Sequence, residues 1–154
     1  MAAYFFDSSA LVKRYVRETG TAWIANIIDA PSPNPIYLVR ITGVEVIAAI
    51  TRRARNAALS MADASVALSL FRYEFSNDFT VTEISTALIT RAMELAEHHA
   101  LRGYDAVQLA AALDVQAYFS TLSVSSLTLV SADVELNTAA MAEGLSVEDP
   151  NTHS

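Results

Sequence analysis

Four acids stand where apolar segments end or begin. Asp7 closes Tyr4-Phe5-Phe6, and Asp133 follows Leu127-Thr128-Leu129-Val130 by way of Ser131 and Ala132. Glu45 lies between Val44 and Val46, and Asp105 between Tyr104 and Ala106. Carboxylates gathered without matching bases push at least one pKa upward unless a cation joins them. Oxygen-only ligands are what Mg2+ and Mn2+ select, and such ions activate water and stabilise charge on a phosphate being cleaved. The hydroxyls of Ser8, Ser9 and Ser131 are placed to hold these acids in position. Each acid alone also has an ordinary reading. Asp7 and Asp133 suit caps or turns, and Glu45 and Asp105 suit helix starts favoured by the macrodipole. Their shared placement is what argues for chemistry.

The elements that must position them follow from periodicity and punctuation. Tyr4–Phe6 reads as a buried strand running directly into a helix over Ala10–Glu18, with Ser8 or Ser9 as N-cap and Gly20 as C-cap. Thr21 opens a second helix, and Pro31-Ser32-Pro33-Asn34-Pro35 forces a loop. Ile36–Val39 is the next strand, followed by helices over Thr42–Arg55 and from Ser60 or Met61 to Phe75. Phe79–Ile84 alternates apolar with polar residues, as a strand does. A helix then runs to His99, Arg102-Gly103 breaks it, and another covers Asp105–Tyr118. Ser120–Ser126 reads as loop, Leu127–Val130 as strand, Val134–Glu143 as helix ended by Gly144, and Leu145–Val147 as a last strand. Strands alternating with helices predict a parallel, doubly wound α/β sheet. In such a sheet strand carboxyl ends and helix N-termini share the edge where ligands bind, so all four acids can converge.

Composition sets bounds. With 154 residues, 53% hydrophobic and 18% charged, the chain reads as one folded domain over residues 1–149, followed by a flexible tail at 150–154. It contains no cysteine, which excludes disulfides and thiolate metal sites. No apolar run is long enough to span a bilayer, and no secretory leader is apparent, so the expected location is cytoplasmic, with no membrane partner. The net charge of −7 argues against a broad basic surface for nucleic acid. It leaves room for carboxylates that hold cations and for local arginines that contact phosphates.

Phe5-Phe6-Asp7-Ser8-Ser9-Ala10-Leu11-Val12-Lys13 resembles the opening motif of the PIN-domain nucleases, in particular the VapC-type toxins of type II toxin–antitoxin pairs. Val44-Glu45-Val46-Ile47-Ala48-Ala49 is similar to their second acidic motif. Leu101-Arg102-Gly103-Tyr104-Asp105-Ala106-Val107-Gln108-Leu109-Ala110-Ala111-Ala112 is the most specific match, and Val130-Ser131-Ala132-Asp133-Val134-Glu135-Leu136 resembles the fourth. The resemblance covers nearly the whole chain, in the family's order. It implies a three-layer α/β/α sandwich with a mostly parallel central sheet, and a metal-dependent endoribonuclease using Mg2+ or Mn2+. Asp7, Glu45, Asp105 and Asp133 would be the catalytic metal ligands, RNA the substrate, and a cognate antitoxin the partner covering the site; a homodimer is also implied. Ser131 departs from the more usual threonine but keeps the hydroxyl. The long Ala117–Ser126 connection is a second departure.

Other polar residues read as structural. His98 and His99 are adjacent, so a helix points them about 100° apart, and they suit a solvated helix end. Asp114 lies too far along its helix to reach the acidic edge. Arg52, Arg53 and Arg55 complement a helix C-terminus, with phosphate contact as the alternative. Trp23, Tyr15 and Phe71 read as core or partner surface. Two other functions remain open: a catalytically inactive module that binds a protein or RNA, and a phosphatase with Asp7 as nucleophile. The phosphatase reading lacks a second aspartate two residues on.

Overall fold

Short β-prone apolar runs build the middle of the molecule. The computed structural model describes residues 2–122 and 127–154. Its strands are β1 (Ala3–Phe6), β2 (Ile36–Val39), β3 (Thr80–Thr82), β4 (Leu127–Val130) and β5 (Ser146–Glu148). They form one sheet in the order β3-β2-β1-β4-β5, every neighbouring pair parallel. The chain winds outward from β1 to β2 and β3, then returns to the other side of β1 with β4 and β5. The winding therefore reverses between β1 and β4, and in open α/β sheets a ligand crevice forms at such a switch point.

Among the described residues seven α-helices cover the sheet: α1 (Ser8–Tyr15), α2 (Thr21–Ile28), α3 (Ile41–Arg55), α4 (Met61–Asn77), α5 (Thr86–His99), α6 (Gly103–Thr121) and α7 (Val134–Ala142). Successive strand side chains point to opposite faces, and this alternation divides the core in two. Phe5, Leu127 and Leu129 pack with α5, α6 and α7. Phe6, Leu38 and Val130 pack with α1, α2, α3 and α4. The result is the three-layer α/β/α sandwich that the sequence predicts. Among the described residues, no helix is long and apolar enough to cross a membrane.

Several boundaries differ from expectation. The first helix is capped by Asp7, whose carboxylate accepts from the Ala10 amide, and Ser8 and Ser9 lie inside its first turn. Gly20 is not a C-cap, because α1 ends at Val16. Gly20 opens α2 with φ +92, and a Cβ there would lie 2.4 Å from the Pro150 carbonyl oxygen. That contact also corrects the expected loose tail. Pro150 is buried, Pro150–Thr152 forms a 3-10 turn, and the His153 ring stacks on Trp23 with centroids 4.1 Å apart. β3 is shorter than the predicted Phe79–Ile84 because it is an edge strand pairing only with Tyr37–Val39. α6 continues to Thr121, so the first part of the Ala117–Ser126 connection is helical, and residues 123–126 lie outside the described residues.

Candidate active site

Asp7 sits at the carboxyl end of the central strand and is 2% exposed. Three donors converge on its carboxylate. Ser9 Oγ lies 2.7 and 2.9 Å from the two oxygens, Ser131 Oγ donates to Oδ2 at 2.8 Å, and the Ala10 amide donates to Oδ1 at 3.0 Å. The hydroxyls are themselves held by backbone amides of the loop after β4. The Ala132 amide donates to Ser9 Oγ and the Asp133 amide to Ser131 Oγ, each at 3.0 Å. Asn137 on α7 donates to the Ser131 carbonyl at 2.8 Å. The loop after β4 is thereby tied to the acid after β1.

The other acids reach the same edge from helix starts. Asp133 is the N-cap of α7, accepting from the Leu136 amide at 2.9 Å. Asp105 lies in the first turn of α6. Glu45, in the second turn of α3, accepts at 2.8 Å from Gln108 Nε2, which also donates to the Thr42 hydroxyl at 2.9 Å. Gln108 and Thr42 are both buried. Sequence reading missed them, and also Asn137. A signal for Gln108 existed: it lies three residues after Asp105, on the same side of α6.

Charge couples the four acids. Burial pushes Asp7 up to about 7; its three hydrogen bonds oppose the rise and the Asp105 charge adds to it. Partial burial raises Glu45 as well, opposed by hydrogen bonds from Gln108 and Ser8 and reinforced by Asp105. Asp105 is itself raised, first by burial and then by the Asp133 charge, with Arg102 opposing and Glu135 adding. Asp7 is the most buried of the four, but Asp105 is the acid that acts on both Asp7 and Glu45 while feeling Asp133. Ser9 and Ser131 gather at Asp7, whereas Ser8 turns toward Glu45.

Residues 4–139 match the family model of the PIN domain. The chain belongs to the PIN-domain family. Ribonuclease VapC45 and Ribonuclease VapC49 of Mycobacterium tuberculosis are each 34% identical to this PIN domain over 115 residues, covering 75% of its chain and 78% of theirs. The crystal structure of PAE2754 from Pyrobaculum aerophilum shares its fold with a TM-score of 0.62 at 23% identity, over 98% of this chain and 85% of that one. A toxin–antitoxin complex from Klebsiella pneumoniae matches with a TM-score of 0.59 at 19% identity, over 96% and 98%.

PIN nucleases generally use a divalent metal, and the donor set here suits one. It offers only oxygen, the preference of hard cations, and includes a buried carboxylate whose raised pKa marks an uncompensated charge. Beside the acids, Ser8, Glu45, Arg52 and Tyr104 line a cleft of about 400 Å³. Ile41, Val44 and Ala48 belong to this cleft and also to a larger apolar groove of about 820 Å³ between α3 and α4. Gly43 lets the Phe75 ring pack closely against α3, since a Cβ there would meet that ring at 3.0 Å. Of the basic run, Arg53 is engaged with Glu18 at 2.5 Å, while Arg52 faces the cleft.

Proposed function

We propose that this PIN domain is a divalent-metal-dependent endoribonuclease, the toxin of a toxin–antitoxin pair, with Asp7, Glu45, Asp105 and Asp133 as its metal-holding acids. The observation that carries the reading is the placement of those four acids at one sheet edge: Asp7 at the end of β1, Glu45 and Asp105 in the opening turns of α3 and α6, and Asp133 capping α7. The activity named for the two Mycobacterium tuberculosis relatives supports it.

Mg2+ is the ion this reading favours, with Mn2+ as a substitute, because Mg2+ is bound through a few carboxylates while keeping several of its waters. When bound, the ion supplies a more acidic water and neutralises charge on the scissile phosphate. Ser9 and Ser131 hold the Asp7 carboxylate in one orientation, and Gln108 and Ser8 do the same for Glu45. Arg52 contacts a backbone phosphate in the cleft, and the exposed Tyr104 offers a face on which a base can stack.

The apolar groove between α3 and α4 seats an apolar segment of the antitoxin, which thereby closes the cleft. Toxin–antitoxin complexes among proteins of the same fold support this partner. A homodimer in the cytoplasm completes the reading.

Cleavage of RNA in Mg2+ or Mn2+ tests the proposal. Asp7→Asn and Asp105→Asn are each expected to abolish it. Cleavage that survives both substitutions sinks the four-acid site, and folded wild-type protein that binds RNA without cutting it points to an inactive binding module.

A further inference from the structure

The ends of α5 and α7 meet away from the acidic edge. His98 and His99 close α5, where Ala100 turns the chain with φ +54. Glu143 is the C-terminal cap residue of α7. Asp133 caps the other end of that helix, so about 15 Å of helix separates the two carboxylates. His98 is exposed, as a solvated helix end requires, but His99 turns inward to Glu143. The two imidazole rings stand edge to face with centroids 4.5 Å apart, and His99 Nε2 lies 2.7 Å from Glu143 Oε2. One ring nitrogen from each histidine and one Glu143 oxygen all fall within 4.8 Å of one another, a spacing no other His, Asp or Glu triple reaches among the described residues.

We propose that His98, His99 and Glu143 form a second metal site, taking a transition-metal ion of the Zn2+ class and clipping α5 to α7. Two imidazoles and a carboxylate are a common ligand set for Zn2+, with water completing the tetrahedron. The donor chemistry separates this site from the acidic edge, since imidazole favours Zn2+, Co2+ and Ni2+ whereas carboxylates alone suit Mg2+ and Mn2+. Access is available, because His99 lines an open cleft of about 360 Å³ shared with Ala100 and Glu135. The ion takes the place of the His99–Glu143 hydrogen bond and draws the exposed His98 ring inward.

Co2+, a visible-absorbing stand-in for Zn2+, tests this on the full chain carrying Asp7→Asn and Asp105→Asn, which disable the acidic edge. One equivalent of Co2+ is expected to bind with the absorption of an imidazole-ligated tetrahedral ion, and Zn2+ is expected to displace it while excess Mg2+ does not. His98→Asn and Glu143→Gln are each expected to weaken Co2+ binding by about tenfold or more, given that even outer-shell partners are worth that much; His153→Asn leaves it unchanged. His98 is exposed, so its substitution leaves the fold intact. The same titration on wild-type protein in saturating Mg2+ covers the case in which the doubly substituted chain misfolds. Absence of Co2+ binding, or equal binding after His98→Asn and Glu143→Gln, overturns the proposal.

Discussion

Among the described residues, Asp7 is the carboxylate whose burial costs it most. Its folded pKa stands at about 7 against an ordinary value of 3.8, chiefly because the group is buried. A raised pKa means the folded state holds the proton more tightly than the unfolded chain. Its stabilising contribution is therefore full below about pH 4 and is lost as pH rises to about 7. In metal-free buffer the wild-type protein should lose on the order of 4 kcal/mol over that window from this group, and Asp7→Asn should remove most of the slope. Denaturant unfolding at several pH values with chelator measures it; parallel profiles for the two proteins would refute it. Gln108 makes the second residue-scale prediction. Gln108→Leu strips Glu45 and Thr42 of their shared donor, so kcat for RNA cleavage should fall while KM changes little. Stability should drop by about 1–3 kcal/mol. An unchanged kcat in folded protein would show that Glu45 needs no positioning by Gln108.

At the scale of elements, ionic ties between helices differ widely in consequence. Arg14 on α1 grips Glu74 on α4 through Nε and Nη2 and also reaches Asp29 beyond α2, while the Tyr15 hydroxyl donates to Glu74 at 2.8 Å. Glu74 is 4% exposed. Removing one partner of such a buried pair leaves a charge uncompensated, so Glu74→Ala should destabilise the fold by about 3–5 kcal/mol. Arg40 and Glu83 also pair, across the end of β2, but both are solvent-exposed. Glu83→Ala should leave the unfolding midpoint where it is, because water screens the exposed pair. Denaturant midpoints of the two variants, compared directly, check the contrast. Similar losses in both would mean that burial does not decide the strength of these ties.

For the molecule as a whole, the sheet edge joins the two halves of the core through the acids. The lobe containing α1 to α4 supplies Asp7 and Glu45, and the lobe containing α5 to α7 supplies Asp105 and Asp133. On the proposed function, an ion bound between acids of the two lobes binds the assembled sandwich in preference to the unfolded chain, and so stabilises it globally. At free Mn2+ near 100 times Kd the gain is about 2.7 kcal/mol, which for a chain of this size raises Tm by about 5–10 °C. Thermal melts with and without Mn2+ should show this for wild type and lose it in the Asp7→Asn, Asp105→Asn double variant. An equal shift in both would place the responsible ion elsewhere.

Local patterning determined a large part of this protein. Short apolar runs bounded by turn residues mark β1, β2 and β4, and their alternation with helical periods predicts a parallel sheet with the acids toward one edge. The acids were legible for the same reason: each occupies a strand end or helix start, which is a statement about neighbours in the chain. What the sequence could not determine depends on groups distant along it. Gln108 meets Glu45 across 63 residues, Ser131 meets Asp7 across 124, and His99 meets Glu143 across 44. The division of labour among Ser8, Ser9 and Ser131, the seating of Pro150 against Gly20, and the burial of Glu74 belong to the same class. Periodicity assigns a side chain to a face; only the packing of layers decides which other face it meets, because burial, hydrogen-bond satisfaction and charge coupling are settled between elements and not within them.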